Sequence, residues 1–366
     1  MDRRVVVVGA GWAGEGYTRA FRAAGVEVAA VCGRDEDAVR SMTARLDVPE
    51  ARLDWRAAIE ELRPDIVVVA TPGRAHRDIA TFAADSGCHV VCEKPLGLSA
   101  AEASEMLAAV RRSGVRHAYG STSRYSPVVA EARDLLRSGI IGDPTEVEAS
   151  AHFEMPRMIG YSWLHSVSEG GGLLFNVLPH FLGQVTQLLG GTARSVTGLA
   201  DAAVERVPVG PVVHDFRQQS VVEAGEAIEW RAADGDTRAT AIVGWETAGG
   251  GTVRSLWHAS GLSGARTPGY LEVAGTDGTL HLSGVIWPMS LEYRRAGDSG
   301  WTAGPTPPEE YTDDPVQYGW NELVAQFMAD VRGERDAVYP TFDEGLRDNE
   351  IIDIVRSSRS QPLTVT

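Results

Sequence analysis

Cysteine is scarce in this chain, and long apolar runs are absent. Only three cysteines occur among the 366 residues, at Cys32, Cys88 and Cys92. A set this sparse and odd in number argues against a disulfide framework and fits a reducing compartment, and its spacing does not resemble a zinc site. No stretch approaches the ~20 apolar residues that a membrane-spanning helix needs. We therefore expect a cytoplasmic protein without disulfides, a bound metal or a membrane segment.

Positive charge is also in short supply. Lys and Arg together number 34, against 50 Asp and Glu, so the formal net charge is −16. An acidic chain is repelled by the phosphates of nucleic acids and by anionic membrane surfaces. The expected partner is therefore a small molecule, with no nucleic acid and no membrane involved.

The chain is long enough for two domains, and its apolar pattern changes near residue 122. Before that point, continuous runs such as Val5–Val8 and Ile66–Ala70 alternate with helical segments, which predicts a parallel sheet with helices on both faces. After it, strands alternate polar and apolar residues, which predicts an antiparallel sheet with one exposed face. We predict an α/β domain over residues 1–121 and an α+β domain with a large, mostly antiparallel sheet over residues 122–366.

A glycine-rich turn follows the first strand and opens a helix, which is the context that makes a GxGxxG motif informative. The motif comprises Gly9, Ala10, Gly11, Trp12, Ala13 and Gly14. Gly9 permits the tight turn, Gly11 lets the backbone approach a pyrophosphate, and Gly14 lets helix and strand pack closely. The helix N-terminus then offers N–H groups to the phosphates. The N-terminal domain is therefore predicted to be a Rossmann dinucleotide-binding domain.

The end of the second strand bears on which dinucleotide binds. A carboxylate there would bond the ribose 2′-hydroxyl of NAD and repel the 2′-phosphate of NADP. This chain has Gly33 at that position, followed by Arg34, which can hold a phosphate. These residues favour NADP, whereas Asp35 leaves NAD as the alternative.

Three further motifs continue the series. They are ATPGRAH at Ala70–His76, GCHVVCEKP at Gly87–Pro95 and GGGLLFNVLPH at Gly170–His180. Together with the glycine-rich turn, they resemble the glucose–fructose oxidoreductase / inositol dehydrogenase / MocA family of NAD(P)-dependent oxidoreductases. The resemblance extends over nearly the whole chain, and it implies a Rossmann domain followed by an α+β domain whose sheet forms a homodimer or homotetramer.

The resemblance also implies roles for individual residues. Lys94 would contact the reacting oxygen and the nicotinamide ribose, and His180 would be the acid/base. Many members have an acidic residue four positions before that histidine, where this chain has Asn176. Residues along the cofactor would be Thr71, Pro72, His76 and Glu93.

Elementary chemistry supports these roles. Hydride transfer to a carbonyl leaves an alkoxide, whose charge a lysine can stabilise. A histidine titrates near neutrality and can supply the proton. An asparagine can orient a histidine but cannot accept a proton, so either Lys94 carries more of the acid function or the chemistry differs, as in imine reduction.

Aromatic and histidine side chains cluster before the glycine triplet. They are His152, Phe153, Tyr161, Trp163 and His165. These residues either form a pocket wall that stacks on a sugar-like ring or pack the core. With Asn176 and His180, we predict a substrate site built around His152, Tyr161, Trp163 and His165.

The function predicted from these features is an NADP-preferring dehydrogenase or reductase acting on a sugar, cyclitol or related compound. One alternative is an enzyme that keeps its dinucleotide bound and uses transient oxidation, in glycoside cleavage or aldose–aldose exchange. The other is a dinucleotide sensor without catalysis.

Overall fold

The computed structural model describes residues 3–154, 159–211, 222, 229–263, 267–284, 286–287, 289–334 and 337–358. Within these ranges, no helix combines the length and the apolarity that crossing a membrane requires.

The N-terminal part alternates strands and helices. Its elements are β1 (Arg4–Val8), α1 (Trp12–Ala23), β2 (Glu27–Cys32), α2 (Glu36–Arg45), β3 (Glu50–Arg52), α3 (Trp55–Leu62), β4 (Ile66–Val69), α4 (His76–Asp85), β5 (His89–Cys92), α5 (Ala100–Ser113) and β6 (His117–Tyr119). The strands form one parallel sheet in the order β3-β2-β1-β4-β5-β6. This arrangement confirms the predicted doubly wound α/β domain.

The central strands of this sheet are buried on both faces. Residues Val5–Val8 of β1 and Ile66–Val69 of β4 are at most 2% exposed. The strand order reverses between β1 and β4, and ligands of such sheets bind at the carboxyl ends of the strands beside that reversal. The glycine-rich turn after β1, the segment after β4 and the Glu93-Lys94 pair after β5 all lie at this edge.

The C-terminal part contains a larger sheet. Its elements are α6 (Pro127–Arg137), β7 (Pro144–Glu154), α7 (Leu173–Asn176), α8 (Leu178–Leu189), β8 (Thr192–Asp201), β9 (Arg206–Pro208), β10 (Trp230–Ala232), β11 (Arg238–Glu246), β12 (Thr252–Ser263), β13 (Thr267–Gly275), β14 (Gly278–Ser283), β15 (Ser290–Arg295), β16 (Thr302–Ala303), α9 (Glu309–Asp313), α10 (Pro315–Val331) and α11 (Phe342–Ser357). The eight-stranded sheet runs β16-β15-β14-β13-β7-β12-β11-β8, and β9 pairs separately with β10.

The large sheet confirms the predicted C-terminal architecture. Among the described residues of this sheet, the pairing of β7 with β12 is parallel and the other pairings are antiparallel. One face packs on helices, as the shared core of Val147, Val243, Phe181 and Ile352 indicates. The other face is open, and Ile242 of β11 lies on it with 37% of its surface exposed.

Helix α10 returns to the N-terminal domain. Its residues Trp320, Leu323 and Phe327 share a core with Val5 and Tyr17. The sequence predicts a domain boundary between residues 121 and 122, and that boundary stays a prediction. The packing of α10 shows that the N-terminal core also contains residues from far beyond it.

Candidate active site

The glycine-rich turn brings three backbone segments into close contact. Gly9 has φ +129°, and a Cβ on it would lie 2.2 Å from the carbonyl oxygen of Ala70. A Cβ on Gly14 would lie 1.9 Å from the carbonyl oxygen of Gly9. Gly11 is the N-cap of α1 and has no side chain that could occupy the helix N-terminus. The turn therefore leaves the first N–H groups of α1 accessible, as pyrophosphate binding requires.

The other residues of the motif pack inward. The ring of Trp12 meets Trp320 of α10 edge-on, with 4.9 Å between ring centroids. Ala10 and Ala13 pack beside the core that Trp320 shares. These side chains hold the turn in place, so its backbone is the part that can face a ligand.

The residues after β2 take different positions. Asp35 is the N-cap of α2, where its carboxylate accepts the Ala38 N–H at 2.9 Å. Arg34 is exposed. A Cβ on Gly33 would lie 2.7 Å from Cγ2 of Val39, so a side chain at position 33 requires Val39 to move.

The segment after β4 is tied to the segment after β5 by His76. Its ring nitrogens Nδ1 and Nε2 lie 2.8 Å and 2.7 Å from the carbonyl oxygens of Pro95 and Thr71. Burial lowers the pKa of His76. The structure thus gives His76 a positioning role, while Thr71 Oγ1 is buried without a hydrogen-bond partner in the described part of the chain. An unpaired buried hydroxyl beside the turn fits the predicted cofactor path, which Pro72 continues.

Glu93 is 8% exposed, and its carboxylate points toward the protein interior. Its Oε1 accepts hydrogen bonds from the Tyr17 hydroxyl at 3.0 Å and from Trp320 Nε1 at 3.1 Å. Its Oε2 accepts the backbone N–H of Lys94 at 3.0 Å. Glu93 therefore fixes the segment that carries Lys94 against both α1 and α10.

Lys94 faces Asn176. Its Nζ lies 3.5 Å from Asn176 Oδ1, while Asn176 Nδ2 donates to the carbonyl oxygens of Gly170 at 3.1 Å and Gly172 at 2.8 Å. Burial lowers the pKa of Lys94, and the neighbouring Glu93 carboxylate opposes this change. The hydrogen bonds of Asn176 thus orient Lys94, whereas the residue type alone suggests orientation of His180.

His180 lies in the first turn of α8, after a break at Val177 that separates α7 from α8. It is 6% exposed, and its Nδ1 is buried without a hydrogen-bond partner among the described residues. Burial, and then the nearby Lys94 ammonium, lower the pKa of His180 well below its ordinary value. Burial thus disfavours the charged form of both neighbours, the His180 imidazole and the Lys94 amine.

Lys94 is the only lysine in the chain, which makes its ionisation directly measurable. In Asn176→Asp, a carboxylate would face Lys94 and should raise the pKa of its amine, since a nearby anion favours the charged form. The loss of two amide hydrogen bonds should lower the free energy of unfolding by about 1–3 kcal/mol. The pKa can be read from an NMR titration of the ¹³C-dimethylated ε-amine.

Asn176→Ala is the matched control for this substitution. It also removes the amide but adds no charge, so the pKa of Lys94 should not rise. An equal pKa in wild type and Asn176→Asp would show that the side chain at position 176 does not act on Lys94.

The residues predicted to form one wall of the substrate site, Tyr161, Trp163 and His165, lie next to the glycine triplet Gly170–Gly172. Trp163–His165 form a short 3₁₀ turn, and the carbonyl oxygen of Leu164 in this turn accepts the Gly172 N–H at 3.0 Å. Tyr161 and His165 have ring centroids 5.8 Å apart, and the Arg231 guanidinium lies 4.7 Å from the centre of the Tyr161 ring. These contacts place the turn directly against the segment that carries Asn176.

His152 lies elsewhere. Its neighbour Ala151 on β7 is 2% exposed and faces the core, so the side chain of His152 points to the opposite, open face of the sheet. There its ring lies 5.5 Å from that of His258 on β12. The structure therefore does not bring His152 together with Lys94 and His180, although Phe153, the next residue, packs against the helix-covered core.

Two further residues at the site, Gln184 and Trp287, lie outside the sequence motifs and were not predicted. The rings of Trp287 and His180 lie 5.3 Å apart, and Gln184 Nε2 donates to the carbonyl oxygen of Ile286 at 2.6 Å. Gln184 stands four residues after His180, a spacing that could have marked it. Trp287 lies between two strands of the larger sheet, and nothing local identifies it.

Fold and site together define an NAD-binding oxidoreductase of the Rossmann type. A model of the oxidoreductase family with an NAD-binding Rossmann fold matches residues 3–121. A model of the GFO/IDH/MocA C-terminal domain matches residues 129–281. The chain belongs to the GFO/IDH/MocA family of oxidoreductases.

Relatives of known name include sugar dehydrogenases. D-apiose dehydrogenase of Paraburkholderia graminis is 26% identical over 227 residues, which are 60% of this chain and 60% of that protein. Levoglucosan dehydrogenase of Pseudarthrobacter phenanthrenivorans is 31% identical over 144 residues, 37% of this chain and 36% of that protein. The chain thus spans less than two thirds of the length of either relative.

Solved structures share the fold over nearly the whole chain. An oxidoreductase domain protein from Kribbella flavida has a TM-score of 0.79 at 24% identity, with 97% of this chain and 96% of that chain covered. Levoglucosan dehydrogenase in complex with NADH and levoglucosan has a TM-score of 0.77 at 20% identity, with the same coverage of 97% and 96%.

Proposed function

We propose that this protein is an NAD(P)-dependent dehydrogenase that acts on a hydroxyl or keto carbon of a sugar, cyclitol or related small molecule. The observation that carries the proposal is the position of Lys94 after β5, where its Nζ lies 3.5 Å from Oδ1 of Asn176, four residues before His180. The names of the sugar dehydrogenases among its relatives support the substrate class.

The groups that would hold a dinucleotide are the turn Gly9–Gly14, the N-terminus of α1 and the unpaired hydroxyl of Thr71. When bound, the nicotinamide supplies the acceptor or donor of hydride.

The lowered pKa values of the two residues support the roles we propose for them. In oxidation, neutral His180 accepts the proton of the substrate hydroxyl, and the Lys94 ammonium stabilises the negative charge that develops on the oxygen. In reduction the same steps run in reverse, so the proton held by His180 returns to the oxygen while Lys94 stabilises the negative charge on it. Asn176 holds the amine in place for both directions.

Steady-state turnover with pyranosides, cyclitols and open-chain polyols, with NADP⁺ and NAD⁺ in parallel, tests the proposal through the absorbance of reduced nicotinamide. We expect turnover of at least one cyclic polyol. A protein that binds dinucleotide but turns over none would be a sensor. A dinucleotide that stays bound through gel filtration and is reduced and reoxidised within one catalytic cycle would favour the transient-oxidation alternative.

For the dinucleotide, we propose a preference for NADP(H). Arg34 is exposed at the end of β2, and the Asp35 carboxylate is engaged as the cap of α2. One charge-assisted hydrogen bond from Arg34 to the 2′-phosphate is worth about 1.5–3 kcal/mol.

Arg34→Ala should therefore weaken NADPH binding by about tenfold or more and NADH binding much less, as measured by isothermal calorimetry. Arg137→Ala removes an exposed arginine at the end of α6 and serves as the control. Tighter binding of NADH than of NADPH by wild type would contradict the preference. Gly33→Asp is a less clean test, because a Cβ at this position meets Val39.

A further inference from the structure

Trp287 brings an indole N–H to the proposed acid–base residue. Its ring centroid lies 5.3 Å from that of His180, with 57° between the ring planes. The residue is partly exposed, yet its Nε1 is buried without a hydrogen-bond partner in the described ranges. Because a buried indole N–H ordinarily finds an acceptor, this one is suited to an oxygen atom of a ligand.

The position of Trp287 is fixed by α8. Gln184 is 1% exposed, and its Nε2 donates to the carbonyl oxygen of Ile286 at 2.6 Å. Residues four apart share one helix face, so Gln184 anchors the segment on the face of α8 that carries His180. The neighbouring chain is also paired, since the Met289 N–H donates to the Ser283 carbonyl oxygen at 2.9 Å.

The polar atoms of Trp287, His180 and Lys94 are suited to bind oxygen atoms of a ligand. An indole only donates, an ammonium only donates, and a neutral imidazole donates or accepts according to its tautomer. The Nδ1 of His180 is buried and unpaired like Trp287 Nε1. Hydroxyl groups satisfy all of these atoms, and the ring of an indole offers an apolar face to aliphatic C–H groups.

We propose that Trp287 is a substrate-binding residue that selects saturated rings bearing hydroxyl groups, pyranoses or cyclitols, over open-chain polyols. Its Nε1 donates to one ring hydroxyl while Lys94 and His180 hold the reacting one, and the indole packs against the C–H face of the ring. An open-chain polyol loses more conformational freedom in the same pocket and binds more weakly. This inference rests on the proposed function, because it places the substrate at His180.

The experiment observes the indole N–H directly and needs no turnover. The full chain is labelled with ¹⁵N-tryptophan and saturated with NADPH, and the signal lost in Trp287→Phe identifies Trp287 among nine tryptophans. Methyl glucopyranoside, myo-inositol and sorbitol are then titrated. We expect the Trp287 signal to shift saturably with the pyranoside or the inositol. Sorbitol should bind with an affinity lower by about tenfold or more.

The variants separate the two contributions of the indole. Trp287→Phe keeps an aromatic ring and should weaken binding about three- to tenfold, as expected for one hydrogen bond. Trp287→Ala removes the ring as well and should weaken binding further. Trp301→Phe, which changes a tryptophan that is 40% exposed beside β16, is the control and should bind as wild type.

Three results of the binding experiment would overturn the inference: no shift of the Trp287 signal with either cyclic compound, equal binding of sorbitol, or unchanged binding by Trp287→Ala. Turnover of a cyclic polyol with an unchanged KM in the Trp287 variants would sink this inference while leaving the proposed function intact. A shifted Trp287 signal without any hydride transfer would contradict the proposed dehydrogenase function but leave binding at Trp287 intact.

Discussion

Replacing Lys94 by alanine should lower turnover by about 10²-fold or more while dinucleotide affinity stays within a few-fold of wild type. The expected loss is that of one group that stabilises the negative charge on the reacting oxygen. The backbone of Lys94, which Glu93 anchors, is kept in the variant, so the cofactor contacts should persist. Stopped-flow measurement of hydride transfer, with dinucleotide affinity from calorimetry, tests both parts.

Stability provides a second measurement on the same residue. Because burial disfavours the charged form of Lys94, replacing it by methionine of similar length should not lower the free energy of unfolding. Arg137→Ala is again the control for loss of a cation. Near-normal turnover in Lys94→Ala would contradict the assignment, whatever the stability.

Replacing His180 by alanine should lower turnover by about 10²–10⁴-fold, the range for one general acid–base group. The loss in kcat/KM should be the same in both directions, because the histidine that accepts the proton in oxidation returns it in reduction. His281→Ala removes a histidine of β14 that pairs with Glu272 on the larger sheet, and should leave turnover unchanged. Turnover of His180→Ala close to wild type would mean that this histidine is structural.

The lowered pKa of His180 also predicts a pH dependence of stability. As pH falls below 6.5, the unfolded chain protonates this histidine while the folded chain does not, so the folded state loses stability until the folded pKa is reached. Chemical denaturation of His180→Ala should show a shallower loss of stability over this range than wild type. Parallel curves for the two proteins would contradict the burial of a neutral imidazole.

Local sequence signals predicted the N-terminal domain and its turn. The run Val5–Val8 and the glycines that follow specify a buried strand, a turn and a helix within a few residues of each other. The period-two pattern likewise predicted the larger sheet. Because side chains alternate between the two faces of a strand, the same pattern predicts that His152 and Ala151 of β7 face opposite sides of the sheet.

Contacts between distant segments were not predictable in this way. The apolar pattern of α10 shows that the helix is buried, but not that Trp320 packs on Gly16 and bonds Glu93. The same limit applies to Arg124, which is 7% exposed and forms a partly buried ion pair with Glu344 of α11, 220 residues away. Such pairs are set by tertiary packing, and a single sequence contains no local signal for them.

The return of α10 to the N-terminal core has a consequence for how the chain can be made and divided. A fragment ending at residue 121 would expose the apolar surface that Trp320, Leu323 and Phe327 cover and would leave Glu93 without one of its donors. On the ribosome, the N-terminal domain cannot complete its core until residues 315–331 have emerged, although domains commonly fold in order of synthesis. The surroundings of Glu93 are therefore completed late in translation, and a chain released before α10 lacks part of the N-terminal core.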